Sequence, residues 1–381
     1  MKEEIPRFFE SDKSKKNKIK LVIVGGGHIF QKHLKAILYH HEYFELKGIC
    51  DNDCEKLKFI EEQLLFDLGF EQNKINKISF FKSYQELINH IKKDKFFVDI
   101  IILCTPSGLH VEEALEAANV GINVITEKPM ALKLNDGIKM IRKFNKEKLN
   151  LFVIKQNRFN EALIILKKQI DAGNFGKISV VSINLFWHRS QNYYDKDFWR
   201  GTKILDGGAL INQASHYVDL LLWLFGDVKS VFAQNSTMGR AIEVEDTSLV
   251  QFEWVNGTLG NMAITMLTYK ENYEGSITII GENGTVRIGG KALDKIDFWS
   301  FADQTSYKND FQKIKQFKKN IPFQGHIPYY QSVIDFFKGS SKEVIDGKEG
   351  LKSLEFIEAC YLSAKKAKQV KLPLYEKDDL N

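Results

Sequence analysis

The sequence predicts an α/β chain of two domains, a doubly wound parallel sheet followed by an α+β domain on a large, mainly antiparallel sheet. Three observations carry this. Residues 19–155 alternate strand-like and helix-like segments, the rhythm of βαβ units. A glycine-rich turn joins the first strand to the first helix. After residue 156 long β-like stretches dominate, with hairpin signals at Asn256-Gly257 and Asn283-Gly284.

The elements follow in order. Ile19–Val24 is an apolar run ending at Gly25-Gly26-Gly27, and Lys32–His40 reads as a helix. Phe44–Cys50 is a second strand, closed by Asp51, and Cys54–Leu68 is helical. Residues 69–80, rich in Asn and Lys, read as a loop or insertion. Ser83 and Glu86 have capping-box spacing at the head of a short helix to His90. Val98–Cys104 is a near-continuous apolar strand, the kind buried on both faces of a parallel sheet. Val111, Ala114, Leu115 and Ala118 form one stripe of a helix over His110–Asn119. A strand at Asn123–Thr126, a helix at Leu134–Phe144 and a strand at Leu151–Ile154 complete the domain.

The second domain, 156–381, opens with a helix at Glu161–Ala172. Strands follow at Ile178–Trp187, Val228–Asn235, Thr247–Trp254, Thr258–Leu267, Ser276–Ile280, Thr285–Ile288 and Lys295–Trp299. One helix, Asn212–Phe225, interrupts them, and Ile327–Phe337 and Gly350–Lys365 are terminal helices.

Composition narrows the function. Of 381 residues, 44% are hydrophobic and 27% charged, which excludes a disordered or collagen-like chain. Net charge is +5, and the first twenty residues hold seven basic against four acidic side chains. Residues 1–18 therefore read as a basic flexible tail. The body lacks the basic surplus of a nucleic-acid binder, so the expected partner is a small molecule. Apolar runs fall far short of the ~18 residues of a membrane span, and the N-terminus has no signal core. A cytoplasmic protein, neither membrane-bound nor secreted, is expected. Cys50 and Cys104 sit in apolar runs and read as buried, reduced thiols. No CxxC or HExxH pattern supports a metal site.

Four segments carry chemistry. The first is Gly25-Gly26-Gly27-His28-Ile29-Phe30. Gly25 permits a tight turn, and Gly27 lets the backbone approach a pyrophosphate seated on the helix N-terminus, where His28 and Ile29 lie. Phe30 stands at the third glycine position, a departure from the dinucleotide fingerprint. Asp51, 26 positions after Gly25, suits the ribose hydroxyls of NAD and repels the 2′-phosphate of NADP. The second is Cys104-Thr105-Pro106-Ser107 with His110, at the carboxyl edge of the sheet, and the third is Thr126-Glu127-Lys128-Pro129. The fourth is Leu205-Asp206-Gly207-Gly208-Ala209-Leu210-Ile211-Asn212-Gln213-Ala214-Ser215-His216. Asn212 and His216, four apart, would share one helix face, with Asp219 one turn on.

The segments GGGHI, CTPSGLH, EKP and GGALINQASHYVD, in this order, resemble the Gfo/Idh/MocA family of NAD(P)-dependent sugar and inositol oxidoreductases. The resemblance covers roughly residues 19–340. It implies a Rossmann domain followed by a domain with a large open sheet, assembled as a homo-oligomer, a dimer or tetramer. The runs Ile154–Arg158, FWRGTKILDGGALINQASHYVDLL, IEVEDT and EGSITIIGENGTVRIGG further resemble its sugar-nucleotide subgroup. That subgroup oxidises the 3-hydroxyl of UDP-N-acetylglucosaminuronate to a ketone on the way to 3-amino sugars of surface polysaccharide such as O-antigen. Some members recycle bound NAD with 2-oxoglutarate.

The resemblance implies that Lys128 and His216 are catalytic and that Asn212 supports them. Many members of the wider family have Asp at the position of Asn212. Gln156 and Glu127 join the expected cofactor contacts. The loop His188–Thr202 is rich in rings and cations, namely Arg189, Tyr193, Tyr194, Trp199 and Arg200. With Asn157 and Arg158 it would hold an anionic sugar nucleotide, since arginines suit carboxylate and diphosphate and rings stack on uracil. His326 and Tyr330 are weaker candidates. Three other readings stay open: a dehydrogenase of another sugar nucleotide, free sugar or inositol; a reductase running the other way; and a non-catalytic dinucleotide-binding regulator.

Overall fold

A strand buried on both faces must be apolar at successive positions, and Leu21–Val24 and Ile100–Leu103 are each at most 2% exposed. These runs form the centre of the first of two units in the computed structural model. Residues 18–66, 75–290, 293, 295–303, 325–341 and 344–380 are described. The expected N-terminal tail and residues 69–74 of the expected loop thus lie outside the described residues, apart from Lys18.

The strands β1 (Ile19–Val24), β2 (Phe44–Cys50), β3 (Ser79–Phe81), β4 (Ile100–Leu103), β5 (Asn123–Thr126) and β6 (Leu151–Val153) form one sheet in the order β3-β2-β1-β4-β5-β6. All its ladders are parallel. The chain reverses direction across the sheet between β1 and β4, the switch point where doubly wound folds bind ligands. The helices are α1 (Phe30–Tyr39), α2 (Cys54–Phe66), α3 (Tyr84–Lys92), α4 (His110–Asn119) and α5 (Leu134–Glu147). Ser83 caps α3 by accepting the Glu86 N–H at 3.1 Å, while Glu86 reaches back to the Lys82 N–H at 2.8 Å. One expectation is corrected here. Residues 79 and 80, read as the end of the loop, belong to β3, where Phe81 supplies a buried ring to the sheet edge.

The second unit holds α6 (Glu161–Asp171), β7 (Ile178–Phe186), α7 (Gln191–Asp195), α8 (Ser215–Phe225), β8 (Val228–Ser236), β9 (Thr247–Trp254), β10 (Leu259–Thr265), β11 (Glu274–Gly281), β12 (Gly284–Gly289) and β13 (Lys295–Phe301). Then α9 (His326–Phe337) belongs with the first unit, and α10 (Gly347–Lys366) with β14 (Val370–Lys371) belongs to the second. Residues 128–138 also group with the second unit, so two segments cross the boundary expected at residue 155. The sheet order is β13-β12-β11-β7-β10-β9-β8-β14, antiparallel except for β7 with β10. Asn256-Gly257 turns β9 into β10 with Gly257 at φ +85°, a left-handed conformation that favours glycine.

Alternation separates the faces of this sheet. Val250, Phe252 and Trp254 on β9 are buried, at 4% exposure or less. Their neighbours alternate to the other face, where register aligns Phe298, Arg287, Thr278, Ser182, Asn261, Gln251 and Phe232 in one row. Leu249, Leu259 and Phe298 are 53%, 59% and 53% exposed.

Candidate active site

In the first unit, the turn after β1 is pressed against the end of β4. Gly25 has φ +96°, and a Cβ there would lie 2.7 Å from the Cys104 carbonyl. Glycine at this position is required by the protein's own packing. Gly27 differs, since a Cβ there would meet nothing within 4 Å. Gly27 and His28 are exposed, immediately before α1. A backbone that could carry a side chain yet leaves open space at a helix N-terminus fits a pyrophosphate. Phe30, at the third glycine position, is fully buried and starts α1. Gly25→Ala is expected to cost more than ~1 kcal/mol of stability through its left-handed backbone. Gly27→Ala is expected to keep the melting temperature and weaken dinucleotide binding, as thermal melts and NAD titration will show.

Asp51 ends β2 and is 9% exposed. Its carboxylate accepts the Gly26 N–H at 2.6 Å and the Asp53 N–H at 2.8 Å, so it is fixed beside the glycine turn. Cys104, Thr105, Pro106 and Ser107 follow β4, and the His110 ring bonds the Thr105 carbonyl at 2.9 Å. The Thr105 hydroxyl donates to Glu113 at 2.5 Å. Burial pushes the Glu113 carboxyl up to about 7. Burial likewise holds the Cys50 and Cys104 thiols protonated, Cys50 up to about 12 and Cys104 well above its ordinary value.

Glu127 follows β5 and points inward. Its Oε1 lies 2.9 Å from His33 Nε2, and His33 Nδ1 lies 2.7 Å from the Tyr330 hydroxyl. His326 Nε2 is 3.8 Å from the same carboxylate oxygen. All four side chains are buried. Burial lowers His33, and burial alone would raise Glu127, but His326 and His33 reverse that and hold its carboxyl well below the usual range. His33 was not singled out in the sequence. Its only local signal is a polar residue on the buried face of α1, and its partners are 94 and 297 positions away.

In the second unit, Lys128 Nζ donates to the Asn212 carbonyl at 2.8 Å. The Asn212 amide donates to Asp206, whose other oxygen accepts the Gly201 N–H at 2.6 Å. Asp206 is 2% exposed. Burial raises its carboxyl, partly offset by these bonds and by the charges of Arg200 and Lys128. Asp206 has no assignable role in the sequence alone. The structure makes it the tie between the Gly201 turn and Asn212. The expected continuous helix over Asn212–Phe225 is also corrected. Ala209–Gln213 is a π-helical turn, closed by Ala214 N–H to Ala209 C=O at 2.9 Å, and α8 begins at Ser215. Asn212 and His216 therefore do not lie one turn apart on a regular α-helix. Such turns recur at functional sites. Glu245 sets this one. It accepts the Leu210 N–H and the Tyr361 hydroxyl, both at 2.9 Å, and a Cβ on Gly208 would fall 1.9 Å from its carboxylate.

The His188–Thr202 loop builds a ladder of rings and cations. Arg189 lies 5.1 Å over Trp187 and 5.2 Å over Tyr193, and Arg200 lies 4.4 Å over Tyr193 and 4.5 Å over Trp199. Arg189 also donates to Gln213 at 2.9 Å, on the π-turn. Two expected ligand contacts are otherwise engaged. Tyr194 is 7% exposed, under Gly201. Arg158 spends its guanidinium on Asp219 at 2.9 and 2.7 Å and on Glu349 at 2.9 Å. Lys155, 4% exposed, completes this buried cluster with Ser353 at 2.9 Å and Asp219 at 3.4 Å. Burial alone would raise Asp219, but Lys155, Arg158 and His216 hold it below its ordinary range. Gln156 and Asn157 lie in the 3-10 turn Gln156–Phe159, and Gln156 Oε1 is buried and accepts no hydrogen bond among the described residues. Its orphaned oxygen fits a donor-bearing ligand such as a carboxamide.

A parallel sheet with a glycine turn at its switch point is the arrangement of a dinucleotide-binding domain. Residues 19–155 match the oxidoreductase family's NAD-binding Rossmann fold, and residues 167–372 match its C-terminal alpha/beta domain. The chain belongs to the Gfo/Idh/MocA oxidoreductase family, and NAD is the cofactor of its Rossmann domain. Among solved structures it is similar to the WlbA dehydrogenase of Chromobacterium violaceum in complex with NADH and UDP-GlcNAcA. The two are 42% identical over 95% of this chain and 98% of the other, with TM-score 0.85. The Bordetella pertussis WlbA dehydrogenase, in the same kind of complex, is 41% identical over 94% and 99%, also with TM-score 0.85. The scyllo-inositol 2-dehydrogenase (NADP(+)) IolW of Bacillus subtilis is 24% identical over 72% of this chain and 79% of that protein. No helix among the described residues is long and apolar enough to cross a membrane.

Proposed function

We propose that this enzyme oxidises the 3-hydroxyl of UDP-N-acetylglucosaminuronate to the 3-keto sugar nucleotide. The observation that carries the reading is the bond of Lys128 to Asn212, in the segment that leads into His216, in a chain 41–42% identical to the two WlbA dehydrogenases. NAD, when bound, supplies the hydride acceptor. The expected division has residues 19–155 hold it, through Gly25, Gly27, His28, Ile29, Asp51, Cys104, Thr105, Pro106, Ser107, His110 and Glu127, with Lys128 and Gln156 adding contacts. Residues 156–381 bind substrate and assemble the oligomer.

Removing hydride from a secondary alcohol requires a base for the hydroxyl proton and donors for the developing alkoxide. His216 takes the proton. Lys128 donates to the same oxygen, and Asn212, itself held by Asp206, keeps the sugar in register. Arg189 and Arg200 match carboxylate and diphosphate, Tyr193 and Trp199 offer faces to uracil or sugar, and Asn157 adds an amide. The exposed apolar residues Phe232, Leu249, Leu259, Ile280 and Phe298 on the open sheet face form the contact of a homo-oligomer, a dimer or tetramer. In the cell the reaction belongs in the cytoplasm, as a step toward a 3-amino sugar for surface polysaccharide such as O-antigen, with 2-oxoglutarate recycling the NADH.

The test is turnover of purified protein with NAD and 2-oxoglutarate, comparing UDP-N-acetylglucosaminuronate, UDP-N-acetylglucosamine and myo-inositol, with products weighed by mass spectrometry. Loss of two hydrogens from the uronate alone is expected. Loss from either other compound would move the substrate within the family. No reaction, with NAD still bound, would favour a reductase or a regulator.

A further inference from the structure

The cluster at Glu127 is built to keep one carboxylate charged and buried. An ionised carboxylate only accepts hydrogen bonds, so at 2.9 Å the proton between Glu127 and His33 sits on His33 Nε2. With His33 neutral in its buried site, Nδ1 is then the acceptor, and the Tyr330 hydroxyl, 2.7 Å away, donates to it. The chain runs Tyr330 O–H to His33 to Glu127, each donor aimed at the carboxylate. The groups facing Glu127 are His33 from α1, His326, Tyr329 and Tyr330 from α9, and Cys104 after β4. None of these is acidic at neutral pH. The carboxylate stands at the carboxyl end of β5, and its own N–H bonds Leu103 of β4 at 3.0 Å. That is the edge where this fold class binds its cofactor. The reaction proposed above counts Glu127 among the NAD contacts but gives its charge no role.

We propose that Glu127 is a specificity-determining anion, whose buried negative charge, maintained by His33 and Tyr330, favours the oxidised cofactor over the reduced one. The nicotinamide ring of NAD⁺ carries a positive charge that NADH lacks. A fixed anion in a low-dielectric region stabilises the first and leaves the second nearly unaffected. The same preference makes bound NAD a weaker oxidant and favours release of NADH over NAD⁺. The inference rests on NAD binding at this edge and is independent of which sugar is the substrate.

The experiment measures dissociation constants of NAD⁺ and NADH separately, by calorimetry, for the unsubstituted chain and for Glu127→Gln. The expected result is a rise of about ten-fold in the ratio of the NAD⁺ to the NADH constant. A merely structural role would weaken both equally, and an unchanged ratio overturns the proposal. Tyr330→Phe removes only the last donor of the chain. It is expected to shift the ratio the same way by about two-fold, the size of one lost hydrogen bond diluted through His33, and it serves if Glu127→Gln does not fold. One equivalent of a divalent metal in the purified protein would also overturn the proposal, because the carboxylate charge would be offset. Failure of the unsubstituted chain to bind either cofactor would instead overturn the NAD reading beneath it, and is distinguishable because it appears before any substitution.

Discussion

Replacing His216 by Ala is expected to lower turnover of the sugar nucleotide by about 10²–10⁴-fold, the usual contribution of a positioned general base. NAD affinity and melting temperature should stay near those of the parent chain, because His216 is half-buried at the first turn of α8, outside the buried face carried by Tyr217, Val218 and Leu220. Lys128→Met is expected to cost about 10²–10³-fold, the scale of one lost donor to a developing oxyanion. It also deletes the bond to the Asn212 carbonyl, so a small fall in melting temperature is expected. Steady-state kinetics with thermal melts on each variant checks this. Turnover within a few-fold of the parent for both would show that the roles are misassigned.

Asp219→Asn should have the largest effect on stability. Asp219 is 2% exposed and bonds Arg158 while lying 3.4 Å from Lys155. Removing its charge leaves two cations in the interior with Glu349 as the remaining acid. Breaking a buried pair in this way costs about 3–5 kcal/mol, to be read from urea denaturation. The pH dependence has a definite sign. The native carboxyl is held below its unfolded value of about 3.9. Its contribution is therefore complete above that value and lost as pH falls through the native one. The asparagine variant should be less stable at neutral pH and lose less on acidification. Equal stability of the two proteins at pH 7 would contradict this account of the cluster.

The two kinds of sheet and most element boundaries were legible because their causes are local, whereas the strand order came only from the structure. Val98–Cys104 had to be a doubly buried strand, and its ordered core Ile100–Leu103 pairs with β1 and β5. His110–Asn119 has the expected bounds, since alanine-rich periodicity and the turn before it are both local. The strand at 79–81 was not legible, because three residues are too few to show a period. Neither was the π-turn at Ala209–Gln213, which is imposed by Glu245, a residue 35 positions from the Leu210 it bonds.

The site divides the same way. Glycine spacing, the acid at the end of β2 and the lysine and histidine motifs can be read from neighbouring residues, because turn geometry and helix entry depend on a few adjacent positions. Which polar groups meet inside the protein cannot. Arg158 reads as a ligand for an anion, yet it serves Asp219 and Glu349, 61 and 191 positions away. His33 reads as one more polar helix residue, yet it joins Glu127 and Tyr330. Burying a charge is costly unless a partner is supplied, and packing of distant segments selects that partner. Element type and the motif chemistry are properties of the local chain, whereas the charge state and availability of each ionisable group were decided only when the tertiary fold closed around it.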